Sequence, residues 1–271
     1  MFMTIYDRIK KARLDAGLTQ QELADKLGVT FQAVSSWESG KYIPDTWHLI
    51  ELAKVLNVSV SSLCEEQDFP FKTVKALYDW EHMRTYVKSA ASVLGLKNTL
   101  KALTVAIKAH EGQFRKNSDV PYIYHPLSLA CEALALSVTD DHVVAACLLH
   151  DVLEDTDMTE EYLSKNFDQE VVDLVKTLTF TGSKEDKQAV NAYYKTIGQN
   201  AKATLIKCMD RCNNLTSMAY GMDRKGIYKY IKSTEEHYPA LLKVLKTDYS
   251  NPAWILSYHI KSMLDIYKRL M

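Results

Sequence analysis

The chain has 271 residues, 47% of them apolar and 25% charged, which is enough for one large domain or two smaller ones with buried cores. Its formal net charge is −1, with 7 basic and 10 acidic side chains in residues 1–70 and 26 and 24 in residues 71–271, so any nucleic-acid contact must rest on a local cluster. Disorder and fibre are excluded, no apolar run reaches the roughly 18 residues of a membrane helix, and MFMTIYDRIKKAR lacks the apolar core of a secretory signal, which points to the cytoplasm.

Nine glycines and six prolines are few for this length, and apolar residues recur at three and four positions more often than at two, so an all-α fold is expected. Five cysteines without a C-x-x-C pair read as reduced thiols. In chain order, Thr19 opens QQELADKLG with Glu22 completing a capping box, and Gly28 closes it. Thr30 opens FQAVSSWESG, whose Val34 and Trp37 face inward while Gln32, Ser35 and Ser36 face out. Two short helices about a glycine turn form a helix-turn-helix.

Composition shifts near residue 65, and a longer pattern over Lys72–Val93, closed by Gly95, reads as a connecting helix and a dimer contact. The expected division is a helix-turn-helix domain at 1–66, a bundle for DNA or for protein contacts by spacing alone, a helical linker at 67–95 and a second helical domain at 96–271, with loops at 111–124, 155–159 and 181–186.

The stretch from Leu18 to Leu63 resembles the phage-repressor (Cro/C1-type) DNA-binding family. That resemblance implies a phosphate anchor at Gln20, a major-groove surface of Thr30, Phe31, Gln32 and Ser36, and a backbone contact from Lys41 to a double-stranded DNA operator. Because this part is acidic, useful affinity is expected from a homodimer spanning half-sites about 34 Å apart.

In the second domain, AACLLHDVLEDTD places His150, Asp151, Glu154 and Asp155 at the end of an apolar helix. Read as one helix, His150 stacks with Glu154 and Asp151 with Asp155. Acids at a helix C-terminus oppose its dipole and call for a compensating cation, which a divalent metal on His150 and Asp151 would supply. His125 in VPYIYHPL stands at a helix start marked by Pro126, and Asp210 in TLIKCMDRCNN completes a set of two imidazoles and two carboxylates. Such a set tolerates manganese, iron, cobalt or zinc. Neither a Gly-rich phosphate loop nor a nucleophile elbow occurs. Histidines 82, 142, 237 and 259 lack partners at ligand spacing, and His110 reads as a packing residue.

AHEGQFRKNSDVPYIYHPLSLA, LLHDVLEDTDMTEEYL and LIKCMDRCNNLTSM resemble the three signature blocks of the HD-type hydrolase domain of the Rel/Spo alarmone family, over about Leu96–Tyr238. The resemblance implies removal of the 3′-diphosphate of ppGpp or pppGpp with Mn2+. Its metal ligands would be His125, His150, Asp151 and Asp210, and its water-positioning acids Glu154 and Asp155. Arg115, Lys116, Lys207, Arg211 and Asn214 would meet the guanosine nucleotide. The chain departs from the family pattern in RKNSDVPY, one residue longer than RKSGEPY, in Asn213 where a histidine is usual, and in Thr216 and Ser217 for an Arg-Thr pair.

The combined expectation is a metal-dependent (p)ppGpp 3′-pyrophosphohydrolase fused to a DNA-binding regulator, with the domain combination pointing to an antitoxin for an alarmone synthetase. The alternatives are an HD phosphohydrolase acting on NADPH or another nucleotide, and a non-catalytic nucleotide-sensing regulator.

Overall fold

The computed structural model describes residues 4–63, 79–116 and 118–270. They are helical throughout, with a single isolated bridge, Phe114 to Pro121, and they form two compact units, one within 4–63 and one within 79–270. No described helix is long and apolar enough to cross a membrane.

The first unit holds α1 (Ile5–Asp15), α2 (Gln20–Leu27), α3 (Phe31–Glu38), α4 (Thr46–Val55) and α5 (Val60–Leu63). Thr4 and Thr19 each form a reciprocal capping box, with Asp7 and Glu22 respectively, and Thr30 caps α3. Between α2 and α3 the chain turns at Gly28, whose φ of 67° lies in the left-handed region that a side chain would strain. Ile9, Leu23, Val34 and Leu52 close the core with no exposure. Beneath it, Arg13 grips Glu38 with Nε and Nη2 at 2.6 and 2.9 Å.

The second unit contains α6 (Trp80–Leu94), α7 (Lys97–Ala109), α8 (Tyr124–Ala135), α9 (Asp141–Leu149), α10 (Val152–Asp155), α11 (Glu160–Asn166), α12 (Gln169–Leu178), α13 (Lys187–Ile197), α14 (Ala201–Gly221), α15 (Arg224–Asp248) and α16 (Ser250–Leu270). Every residue from Val143 to Leu149 is buried, so α9 is the central rod, surrounded by α7, α8, α12 and α14. This explains why its sequence is apolar on all sides and not striped. Asp141 fixes the start of the rod by accepting the Asn98 and Thr99 backbone N–H groups at 2.8 Å each.

Of the helix expected over Lys72–Val93, residues 72–78 lie outside the described residues, and α6 buries Val87 and Ala91 in the core of the second unit. It ends at Gly95 as expected, in the left-handed conformation.

The single helix expected through His150 and Asp155 is corrected. Helix α9 stops at Leu149, His150 and Asp151 form the junction, and α10 is a separate short turn. The break turns both ligand-type side chains out of the apolar rod.

Candidate metal centre

Three parts of the fold deliver the chemistry to one place. His125 lies in the first turn of α8, where Pro126 needs no backbone donor, and its N–H bonds the Tyr122 carbonyl at 2.9 Å. His150 and Asp151 come from the junction after α9, and Asp210 comes from α14. The Nε2 atoms of His125 and His150 stand 3.3 Å apart. Asp151 Oδ2 lies 3.1 Å from His150 Nε2 and 3.6 Å from His125 Nε2. These three donor atoms form one tight group, which Asp210 joins through Oδ1 at 3.2 Å from His125 Nε2.

The tautomers follow from the second contacts of each ring. His125 Nδ1 is 2.6 Å from Asn213 Oδ1, and His150 Nδ1 is 2.9 Å from the Cys147 carbonyl oxygen. Each Nδ1 therefore carries a proton, which turns the two Nε2 atoms toward each other and toward the acids in a buried place, as binding of one shared cation requires. The electrostatics agree. Burial opposes a charge on His150, yet Asp151 and Asp210 together push its pKa up to about 9, so the spot draws positive charge. Burial likewise opposes the Asp210 carboxylate, but Lys207, at 3.0 Å, and His125 hold it well below its ordinary range. The residues fit a divalent cation held by His125, His150 and Asp151 with Asp210 beside them.

Around this centre, the phenol of Tyr122 stands 2.7 Å from both Asp151 Oδ2 and Asp155 Oδ2. Glu154 accepts the Phe180 backbone N–H, and burial raises its pKa above the ordinary glutamate value. Arg115 donates to Asn214 Oδ1 at 3.0 Å and to Ser217 Oγ at 2.8 Å, while Asn214 donates to Asp210. Lys116 is exposed, and its carbonyl rests on Gly221, where a Cβ would come within 2.8 Å of the oxygen. Only a glycine lets the loop lie so close to α14.

Arg211, expected at the nucleotide, is 5% exposed. Its guanidinium lies 3.8 Å from the centroid of Tyr230 and 4.5 Å from that of Tyr238, and it donates to Tyr194 and Thr234. It braces α14 against α13 and α15. Sequence reading missed Tyr122, Gln113 and Asn213. Two of them have a spacing signal: Asn213 follows Asp210 by three residues, one turn along α14, and Tyr122 precedes His125 by three in the turn that leads into α8.

In the first unit, Phe31 is 41% exposed, and Gln32 and Lys41 are exposed too. Thr30 spends its hydroxyl on the α3 cap, and Ser36 is half-buried. The Gln20 amide is 2.7 Å from Glu38 Oε2, so it is held within the unit.

Comparison with known proteins places these features. Residues 9–63 match the family described as helix-turn-helix, and residues 102–230 match the family described as HD domain. The guanosine-3′,5′-bis(diphosphate) 3′-pyrophosphohydrolase of Borreliella burgdorferi is 32% identical over 131 residues, covering 46% of this chain and 19% of that protein. The bifunctional (p)ppGpp synthase/hydrolase SpoT of Escherichia coli is 33% identical over 150 residues, 52% of this chain and 21% of that protein. The chain thus spans about a fifth of the length of such relatives. A solved structure, of a metazoan ortholog of SpoT that hydrolyzes ppGpp and plays a role in starvation responses, superposes with a TM-score of 0.53 at 25% identity, covering 61% of this chain and 95% of that one.

Proposed function

We propose that this chain, which carries a helix-turn-helix domain and an HD domain like that of the (p)ppGpp hydrolases, is a metal-dependent hydrolase that removes the 3′-diphosphate of ppGpp or pppGpp. The observation that carries the reading is the meeting of His125 Nε2, His150 Nε2 and Asp151 Oδ2 within 4.8 Å of one another inside the matched HD region. Manganese is the expected ion, with Asp210 as the fourth protein ligand. A divalent ion held there supplies Lewis acidity at a phosphate oxygen and makes water acidic enough to react near neutral pH.

The protein groups do the rest. Glu154 and Asp155 orient the attacking water and take its proton. Water adds to phosphorus, the bond between the ribose 3′ oxygen and that phosphorus breaks, and the ribose oxygen is protonated as pyrophosphate departs. Arg115, preoriented by Asn214 and Ser217, presents its guanidinium plane to the base, and Lys116 and Lys207 offset diphosphate charge. Arg211 supports this surface from within its aromatic cage.

The helix-turn-helix supplies an operator contact through Phe31, Gln32, Ser36 and Lys41, with Thr30 setting the start of α3. Gln20 reaches a phosphate by exchanging Glu38 for it. Affinity comes from a homodimer. Joined to a hydrolase, this contact supports an antitoxin that destroys a partner synthetase's product while repressing its own operon.

The test is pyrophosphate release from ppGpp and pppGpp, and phosphate release from NADPH, by the full chain with Mn2+, repeated with Asp151→Ala. Release from the guanosine substrates that the substitution abolishes is expected. Preference for NADPH transfers the assignment to another nucleotide, and nucleotide-dependent DNA affinity without turnover makes the chain a sensor.

A further inference from the structure

Asp155 closes a four-residue helix and its side chain is exposed, so a carboxylate meant to steer one water would otherwise sample several rotamers. The loop from His110 to Tyr122 holds it at both ends. The Tyr122 phenol reaches its carboxylate at 2.7 Å, and the Gln113 amide donates to its backbone carbonyl at 2.8 Å. Gln113 is itself tied back, since its side-chain oxygen meets His110 Nδ1 at 2.8 Å and its backbone oxygen accepts the Tyr122 N–H at 2.9 Å. The His110 ring, 2% exposed, stacks on Tyr122 with centroids 4.7 Å apart and planes at 27°. His110, Gln113 and Tyr122 thus brace one another, and Gln113 and Tyr122 both end on Asp155.

The phenol has one proton and two carboxylate neighbours, Asp151 and Asp155, each at 2.7 Å. It can donate to only one of them, and two anions on one hydroxyl is a repulsive arrangement unless one is neutralised. Asp151 belongs to the cation-binding group, so positive charge there removes that repulsion and lets the one hydroxyl bridge both acids.

We infer that Tyr122, braced by His110 and Gln113, is a positioning residue that ties the metal ligand Asp151 to the water-steering acid Asp155. The inference rests on the hydrolase reading for the role of Asp155, whereas the tie to Asp151 stands on geometry alone.

The experiment compares the full chain with Tyr122→Phe, Asp155→Asn and the double variant. Phenylalanine keeps the ring stack and removes only the hydroxyl. Calorimetric titration with Mn2+ alone is expected to show Tyr122→Phe binding about 10-fold more weakly, the usual scale for losing a group that orients a ligand. At saturating Mn2+, kcat for ppGpp falls about 10- to 100-fold with KM within about twofold. The double variant is no slower than Asp155→Asn, because the two residues act as one device. Unchanged Mn2+ affinity overturns the tie to Asp151, and additive losses in the double variant overturn the tie to Asp155. Should the parent chain release neither pyrophosphate nor phosphate from any nucleotide, the hydrolase reading fails by itself, and the Mn2+ titration still decides the tie to Asp151.

Discussion

Single side chains divide into those whose role is written in their type and those whose role depends on who surrounds them. His150 and Asp151 lie between the kinds: an imidazole beside a carboxylate behind an apolar run is uncommon, but it takes His125 and Asp210 from distant parts of the chain to gather a ligand set. Arg211 belongs to the second: a cation next to Asp210 looks like a nucleotide contact until three tyrosines from other helices enclose it. Tyr122 was hidden for the same reason, since its two acid partners lie 29 and 33 residues further along the chain. Glu132 gives a test at this scale. Burial pushes its pKa up from 4.5 to about 7, and no cation pairs with it among the described residues. Between those values the folded chain keeps a proton that the unfolded chain loses, so stability is full below the lower value and declines as pH rises through the window. Glu132→Gln is therefore expected to gain roughly 1–3 kcal/mol at pH 8 and little at pH 4.5. Calorimetry at both pH values should show a midpoint raised by several degrees only in the alkaline scan.

At the level of helices, caps were legible and breaks were not. Thr19, Gly28, Thr30 and Gly95 end or start helices where their chemistry says they should. The stop after Leu149 escaped notice because Val152 and Leu153 continue the apolar pattern, and no glycine or proline marks the junction. What turns the chain there is tertiary: His150 and Asp151 are drawn toward α8 and α14 by His125 and Asp210. Packing between elements also explains Gly221, where α14 meets the loop that carries Arg115 and Lys116. Gly221→Val would drive a branched side chain into the Lys116 carbonyl, so the loop must move. The expected result is a several-fold higher KM for ppGpp with Mn2+ affinity unchanged, because His125, His150 and Asp151 lie elsewhere. Equal loss of metal binding would show that the loop and the metal centre are one mechanical unit.

For the molecule as a whole, two cores mean two folding problems. The first unit closes around Ile9, Leu23, Val34 and Leu52, and the second around α9, with each cluster drawing its buried residues from its own part of the chain. The compositional shift near residue 65 lies between the two clusters, whereas the linker expected at 67–95 is in part α6, whose Val87 and Ala91 belong to the second core. Calorimetry of the full chain is expected to show two transitions. Mn2+ at about 100 times its dissociation constant should raise only the one belonging to the second unit, by about 2.7 kcal/mol. A chelator should leave the other unmoved. A single transition that shifts as a whole would mean that the units fold as one.

The two imidazoles at the metal centre are fixed by partners of different kinds: a main-chain oxygen at position 147 for His150, and the side-chain amide of Asn213 for His125. No replacement at position 147 short of a backbone shift can delete a carbonyl, whereas a single codon change can delete an amide. Heredity thus guards one ring and leaves the other exposed, and drift toward an inactive descendant has an open door at residue 213.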